Sequence, residues 1–559
     1  MSSDSALPAA SVLNRLWTHP GHLVWAAIAY LVGLGRMAVP LTGDQKVYLS
    51  IAQEMREQGH WLQPLLFGQA SYYKPPLQYW ATLIGWQIFG FNLWGAWLPS
   101  ILTALGTAWL LGEIAILLGM KREFTSAGLV FLATLSALTY GSTAQMEIYL
   151  CFFQAAAWWA ALRYLNLPSN QRRFGWLYAA LALAGLTALV KSPLYSIFWG
   201  AGFAVYLVIS GEWELFRSRH LYQALGLGIA LGASWYVAIL LVDGRQFWDF
   251  YFVHENLEKA SGNGSTVAGF WVAILYFFFP FTLLLVPSIR ALWSGRSRGS
   301  PLMRVLLCWC VPPALFFTAY PYRTRPYLFI LIPALALCVD WGWFREARSR
   351  LFGRILVITG LLWALVMMGL AYFLHQAELV PGACAIGLAL AGFAGLIFAC
   401  RGEFRAATLC VLGGVLAFRL SSAAVGEADL NGLRVSMSRY PAAEIGMLDE
   451  GRNIWHEVGL LSAAIGRPIH RLSTVREVRE MLERHGLVAL SEEQVVTVTA
   501  GWPGPIPAAG SPSLERLPWL RWKTRGQFPY RDLLLHGRQA VPDLDARIHR
   551  KFEILHLND

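Results

Sequence analysis

Apolar runs about as long as a bilayer crossing alternate with short polar connections over the first three quarters of the chain, and the pattern stops near residue 425. A membrane helix needs about 20 mostly apolar residues. Thirteen runs meet that rule, near 22–40, 94–118, 124–141, 146–164, 175–190, 193–210, 221–242, 268–289, 303–320, 327–343, 354–374, 383–400 and 405–424. The two runs flanking Lys191-Ser192-Pro193 are short and almost directly joined, which predicts a tight hairpin. The fold class expected is a mainly α, polytopic membrane protein of about 13 transmembrane helices, residues 1–424, followed by a small α/β domain, residues 425–559.

Three intervals break the apolar pattern. In the first loop, 41–93, Val47, Tyr48, Ile51, Ala52 and Met55 recur at helical spacing after Asp44, predicting an amphipathic surface helix to Gln58. Pro64, Gly68-Gln69 and Pro75-Pro76 punctuate the loop, and a second surface helix is expected from Leu77 to Phe89. Residues 243–267 read as an outer loop, flexible at Ser261-Gly262-Asn263-Gly264-Ser265, and placed to act as a lid. Beyond 425, Thr474-Val475-Arg476-Glu477 is a capping-box pattern that opens a helix. Short runs at 487–490, 495–499 and 532–535 read as strands.

Composition fixes the class more firmly. Hydrophobic residues make up 56% of 559 and charged residues 14%, with a mean hydropathy of +0.45, too apolar for a soluble domain. The net charge of +11 does not signal nucleic acid, because the cations fall mostly in alternate short loops, as membrane orientation requires. That alternation holds for thirteen crossings with a cytoplasmic N-terminus, and it places 41–93, 243–267, 320–326 and the C-terminal region outside. The first run lacks a clear cleavage site and is expected to stay as a helix. All seven cysteines lie in or beside apolar runs without zinc-site spacing, and read as small buried residues.

The cations that defy the alternation are the informative ones: Lys46, Arg56, Lys74, Lys191, Arg245, Lys259, Arg323 and Arg325. Each is either a partner in a salt bridge or headgroup contact, or part of a site for an anionic substrate group. Asp44 is either a helix N-cap or a general base at the membrane boundary. Lys74, set before two prolines, is a pre-positioned cation able to hold a lipid phosphate. Glu147, opening an apolar helix, either reaches water or faces a site.

The blocks Asp44-Gln45-x-x-Tyr48, Gly59-His60-Trp61-Leu62-x-Pro64 and Tyr73-Lys74-Pro75-Pro76-Leu77-x-Tyr79-Trp80 resemble the first periplasmic loop of the bacterial aminoarabinose transferase family. That family stands with the protein O-mannosyltransferases among polytopic glycosyltransferases of the GT-C type, which use polyprenyl-phosphate sugars. The similarity continues at Glu147, Leu189-Val190-Lys191-Ser192-Pro193, Phe247, Glu255-Asn256-Leu257 and Arg325-Pro326-Tyr327, covering about residues 22 to 345. It implies Asp44 and Glu147 as catalytic carboxylates. Lys74, Arg323 or Arg325, Tyr327 and Tyr48 would form the donor-phosphate group, and His254, Glu255 and Asn256 a lid or acceptor loop. It further implies a bacterial inner-membrane enzyme with its site and C-terminal domain in the periplasm. Its acceptor would be lipid A or another envelope lipid or glycan, with a protein as the alternative. Gln45, Tyr73 and Glu147 depart from the family pattern, and Tyr73 replaces an acid associated with its metal site, so no cofactor is assigned and a divalent metal is left open. A lipid or solute transporter is the rival class. It is disfavoured because no internal repeat is apparent and the unusual charges gather at outer helix ends rather than at mid-membrane.

Overall fold

The computed structural model describes residues 19–32, 44–66, 68–121, 125–258, 264–293, 299–346, 349–376, 382–448, 458–491, 494–495, 497–498, 515–522 and 549–556. Seven of its helices are long and apolar enough to cross a membrane, or eight if a pair bent by 102° (Val267–Phe277 with Phe281–Trp293) is one span.

Helix α1 (His19–Leu31) leads to the first-loop helix α2 (Gln45–Gln58), the two-residue strands β1 (Leu65–Leu66) and β2 (Gln69–Ala70), and α3 (Leu77–Phe89). Both first-loop helices thus form where hydrophobic spacing placed them. Helix α2 ends at Gly59, whose φ of 70° lets its N–H return to the Arg56 carbonyl while the His60 N–H reaches Met55. Asp44 holds the N-cap position of α2 without a side-chain cap bond. Nor does α2 simply lie on a membrane surface with its polar side free. Its polar Gln45, Ser50 and Gln53 are buried along with Tyr48, Leu49, Ile51 and Met55.

Next come α4 (Leu93–Leu117), the short α5 (Ala127–Leu132) and α6 (Leu135–Gly141), α7 (Met146–Leu165), α8 (Phe174–Val190) and α9 (Pro193–Ile209). The expected 124–141 span is therefore two short pieces, broken at Ala133-Thr134, where the Thr134 hydroxyl caps α6 by accepting the Ala137 N–H. The predicted hairpin is present: Ser192 caps α9, Pro193 opens it, and Lys191 stands at the tip.

Helix α10 (Arg219–Phe247) breaks at Gly244, φ 52° and ψ −121°, and runs on as a π-helical segment, Trp248–Glu258. Residues 243–258 are thus helical rather than an outer loop. The aromatic cluster of Trp235, Tyr236, Phe247 and Tyr251 gives them a packed face that a flexible loop would lack. Of the stretch 261–265 expected to be flexible, 261–263 lie outside the described residues, and the Ser265 N–H donates to the Arg323 carbonyl at 3.0 Å.

After α11 (Val267–Phe277) and α12 (Leu285–Trp293) follow α13 (Pro301–Ala319), a 3-10 segment (Arg325–Leu331), α14 (Ile332–Glu346), α15 (Arg350–Gln376), α16 (Gly382–Cys400) and α17 (Phe404–Arg439).

Helix α17 hands over to strand β3 (Ile445–Leu448), α18 (Val458–Ile465), β4 (Ile469–Leu472), α19 (Val475–Glu483), β5 (Leu487–Ser491), β6 (Glu515–Trp522) and β7 (His549–His556). The five strands form one mixed sheet in the order β4-β3-β5-β7-β6, with β3 parallel to β4 and β5, and β7 antiparallel to β5 and β6. The expected cap forms in a shifted variant: Thr474 Oγ1 accepts the Glu477 N–H at 3.2 Å, and Glu477 reaches back one residue further, accepting the Ser473 N–H at 2.8 Å. The described residues of the run at 495–499 are not in a strand. Residues 494–495 and 497–498 are helical, and Val495 and Val498 pack on Val478 and Leu482. The run at 532–535 lies outside the described residues. Helix α18 packs onto α2, with the Gly459 N–H donating to Ser50 Oγ at 3.0 Å, and this contact covers the polar side of α2.

Candidate active site

Of the residues that the sequence singled out, Lys74, Glu255 and Tyr327 line one cavity at the mouth of the α8–α9 hairpin, and Glu147 pairs with Lys191 at its edge. Proline 75 and Pro76 stiffen the chain before α3 and hold Lys74 against two neighbours. Its Nζ donates to the Tyr73 carbonyl at 2.9 Å and lies 3.5 Å from Glu255 Oε2. The same ammonium sits 3.9 Å from the centre of the Tyr73 ring, a cation–π contact.

At the hairpin tip, Lys191 Nζ donates to Glu147 Oε1 at 2.5 Å and stands 5.2 Å from the Tyr327 ring centre. Both partners are almost wholly withdrawn from solvent, and Glu147 Oε2 is buried with no hydrogen-bond partner. Glu147 therefore faces inward rather than reaching water.

Between the two lysines lies a cavity of about 380 Å³. Tyr73 and Lys74 close it on the first-loop side, Lys191 and Tyr195 at the hairpin, and Tyr251 and Glu255 on the π-helical segment. The C-terminal end of α13 adds Phe316, Phe317 and Tyr320, and Tyr327 stacks on Phe317 with ring centres 5.1 Å apart. Two cations, one carboxylate and several phenols in an aromatic wall suit a ligand with an anionic group and a polar, hydroxylated part.

Asp44 is exposed at the start of α2, and the Tyr48 hydroxyl donates to its Oδ2 at 3.4 Å. Its charge reaches the cavity wall. Burial, then Asp44 and Glu255, push the Tyr73 phenol well above its ordinary pKa, against the opposing effect of Lys191. Burial, then Asp44 and Glu147, do the same to Tyr48, which packs edge-on against Tyr79 with ring centres 5.9 Å apart. Both phenols stay neutral at ordinary pH and remain hydrogen-bond donors.

The two arginines part company. Arg323 is buried, with Nε donating to the Tyr320 carbonyl at 2.9 Å and Nη1 buried without a hydrogen-bond partner, while Arg325 is exposed. Neither belongs to the cavity wall. Glu255 is where a cavity needs it, but the side chains of His254 and Asn256 lie outside the described residues. Sequence reasoning left several contributors out of the site, among them Lys191, Tyr195 and Tyr251. Lys191 was visible as a cation against the charge alternation, whereas Tyr195 and Tyr251 carried no signal separable from ordinary interfacial aromatics.

Among the described residues no three His, Cys, Asp or Glu side chains come together as a metal site. The donor set around Lys74 and Glu255 does not fit a divalent cation, because an ammonium already lies beside that carboxylate.

A larger cleft of about 570 Å³ opens between α8, α9 and α10. It is apolar, lined by residues such as Leu181, Ile197, Leu225 and Ile229. It adjoins the cavity where the Tyr236 and Tyr251 hydroxyls meet at 3.1 Å.

Fold and site together define a polytopic, mainly helical membrane protein with a tyrosine-walled polar cavity beside an apolar cleft. The resemblance drawn from the first-loop blocks is borne out by comparison with known proteins. A family model described as dolichyl-phosphate-mannose-protein mannosyltransferase matches residues 73–237. An undecaprenyl phosphate-alpha-4-amino-4-deoxy-L-arabinose arabinosyl transferase of Erwinia tasmaniensis is 26% identical over 472 residues, 78% of this chain and 81% of that protein. Its namesake in Photorhabdus laumondii is 24% identical over 369 residues, 61% of this chain; the match spans 65% of that relative's length. The crystal structure of ArnT from Cupriavidus metallidurans bound to undecaprenyl phosphate superposes with a TM-score of 0.66 at 20% identity, covering 96% of this chain and 97% of that one. The apo form of the same protein gives 0.65 at 18% identity, covering 86% and 94%.

Proposed function

We propose that the chain is a membrane glycosyltransferase that moves a sugar, in the first instance aminoarabinose, from undecaprenyl phosphate to lipid A or a related envelope lipid. The observation that carries this reading is the cavity that sets Lys74 and Lys191 in one aromatic chamber, opening beside an apolar cleft. A prenyl-phosphate sugar has the matching parts: an apolar chain for the cleft, a phosphate for an ammonium, and a hydroxylated ring for the phenols. The names of the relatives support the same donor and sugar.

In this reading Lys74 exchanges its 3.5 Å contact with Glu255 for a phosphate oxygen, and balances the charge that grows on the departing phosphate. Asp44 orients or deprotonates the acceptor for a single inverting displacement, and Glu147, steadied by Lys191, offers Oε2 to a substrate hydroxyl. Arg323 acts through its bond to the wall residue Tyr320, and Tyr48 and Tyr327 act as donors and packing surface; Glu255, with its neighbours His254 and Asn256, closes the acceptor side. The membrane part, residues 1–424, has thirteen crossings in a bacterial inner membrane. Its site and the C-terminal unit, 425–559, face the periplasm, as the distribution of cations supports.

The test is transfer of radiolabelled sugar from the polyprenyl-phosphate donor by purified protein. Asp44→Asn and Lys74→Ala are expected to lower kcat/KM by about 100- to 1,000-fold, the range for losing one group that stabilises transition-state charge, with unchanged protein in the membrane. Near-normal product from either variant overturns the assignment. Mass spectrometry of lipid A and other envelope glycans from a deletion strain identifies the acceptor.

A further inference from the structure

We propose that a second, polar cleft between α2 and the C-terminal sheet is a saccharide subsite that takes a sugar unit of the acceptor. The proposal rests on the glycosyltransferase reading and adds to it a place for the acceptor's glycan. The cleft has a volume of about 310 Å³, at the lower end of the roughly 300–1,000 Å³ usual for small-molecule sites. It shares no residue with the tyrosine-walled cavity.

One wall is the second half of α2, with Gln53, Glu54 and Glu57; the other is strand β4, with His470 and Arg471. The cleft is held by fixed contacts. At its floor the Gly459 N–H donates to Ser50 Oγ at 3.0 Å, and a Cβ on Gly459 would stand 2.2 Å from the Ser50 nitrogen, so the two backbones touch. At its rim Glu54 Oε2 accepts the Gly68 N–H at 2.9 Å, which fixes the β1–β2 turn.

A buried group on the wall points to a ligand. Gln53 is 4% exposed; its Nε2 donates to Glu57 Oε1 at 2.8 Å, while its Oε1 is buried with no hydrogen-bond partner. Buried acceptors in folded proteins are almost always satisfied, and a ligand hydroxyl would satisfy this one. The rest of the lining selects the class. Carboxylates on α2 accept, while the Arg471 guanidinium and His470 donate from β4, and a hydroxyl does both at once. An anion would meet two glutamates, a simple cation would meet Arg471, and an apolar group would find little apolar wall. A polyol with hydroxyls on both faces matches each wall.

Position gives the cleft its use. At 1.5 Å per residue, Glu54 lies about 15 Å along α2 from Asp44. That is the reach of a short oligosaccharide whose far unit is anchored while its near group is presented to Asp44.

The experiment uses the full chain in lipid nanodiscs with methyl β-glucosaminide as the soluble probe, followed by saturation-transfer NMR. Wild type is expected to show saturable transfer to the probe. Glu57→Gln and Arg471→Ala should each weaken binding at least tenfold, whereas Lys74→Ala, in the other cavity, should leave it unchanged. His470→Ala, at an exposed position, supplies a variant that does not disturb folding and should weaken binding measurably. The probe should also inhibit sugar transfer competitively with the glycolipid acceptor. No saturable binding, binding unaffected by the three cleft variants, loss in Lys74→Ala, or inhibition not competitive with acceptor overturns the proposal. Sugar transfer by wild type in the same nanodiscs tests the enzymatic reading separately, so the two failures are distinguishable.

Discussion

Breaking the Lys191–Glu147 pair one side at a time should destabilise the protein strongly, and removing both partners should restore most of the loss. At 2.5 Å and an effective dielectric constant of about 20, the attraction is about 7 kcal/mol before desolvation is charged against it. The ammonium is 10% exposed and the carboxylate 5%, so each alone would be a buried, uncompensated charge. Single variants that leave such a charge cost about 3–5 kcal/mol, while replacing both partners by neutral groups is often close to neutral. Glu147→Gln, Lys191→Met and the double variant therefore form a cycle read by denaturant unfolding in detergent. Coupling of at least about 2 kcal/mol is expected, with the double variant more stable than either single one. Transfer activity, in contrast, should be lost in all three, because Lys191 lines the cavity and the proposed function assigns Glu147 to the substrate. Additive destabilisation would refute the coupling, and an active double variant would refute the chemical role.

Two further outcomes follow from packing and charge. Gly459→Val places side-chain atoms against the backbone of α2 and should destabilise by about 1–3 kcal/mol, the usual overpacking cost, read as a lower Tm; Gly175→Ala, with open space around its Cβ, is the near-neutral control. The raised pKa values of Tyr48 and Tyr73 mean that both stay protonated in the folded state after unfolded tyrosines ionise. Their contribution to stability is full below about pH 10, the unfolded value, and declines as pH rises above it; the check is that phenolate absorbance in the native protein misses these two residues near pH 10, and their normal titration there would contradict the burial of this wall.

The legible parts of the site were those written in a short stretch of chain. Lys74 before two prolines, the helix of Tyr48 and Ile51, and the capped hairpin at Ser192-Pro193 each rest on contacts within a few residues. The Lys191–Glu147 pair joins positions 44 apart, and Lys74–Glu255 joins positions 181 apart. No local pattern states such pairings. The same limit explains residues 243–258, whose glycine, asparagine and charges suggest a loop until an aromatic cluster packs them as helix. It also explains the run at 495–499, whose alternating valines suit a strand until α19 offers a surface that helical turns fit.

By itself, then, the sequence determined the solvent for most of this protein, the placing of the first-loop helices and the kind of charge they carry, because hydrophobic period and backbone-restricting residues act locally. The tertiary structure decided which cations meet which carboxylates, which tyrosines form a wall, and that the C-terminal unit covers the polar side of α2. Those outcomes depend on burial shared between distant segments. A buried charge or amide is stable only where another segment brings its partner, and that partner is selected by packing rather than by neighbours in the chain.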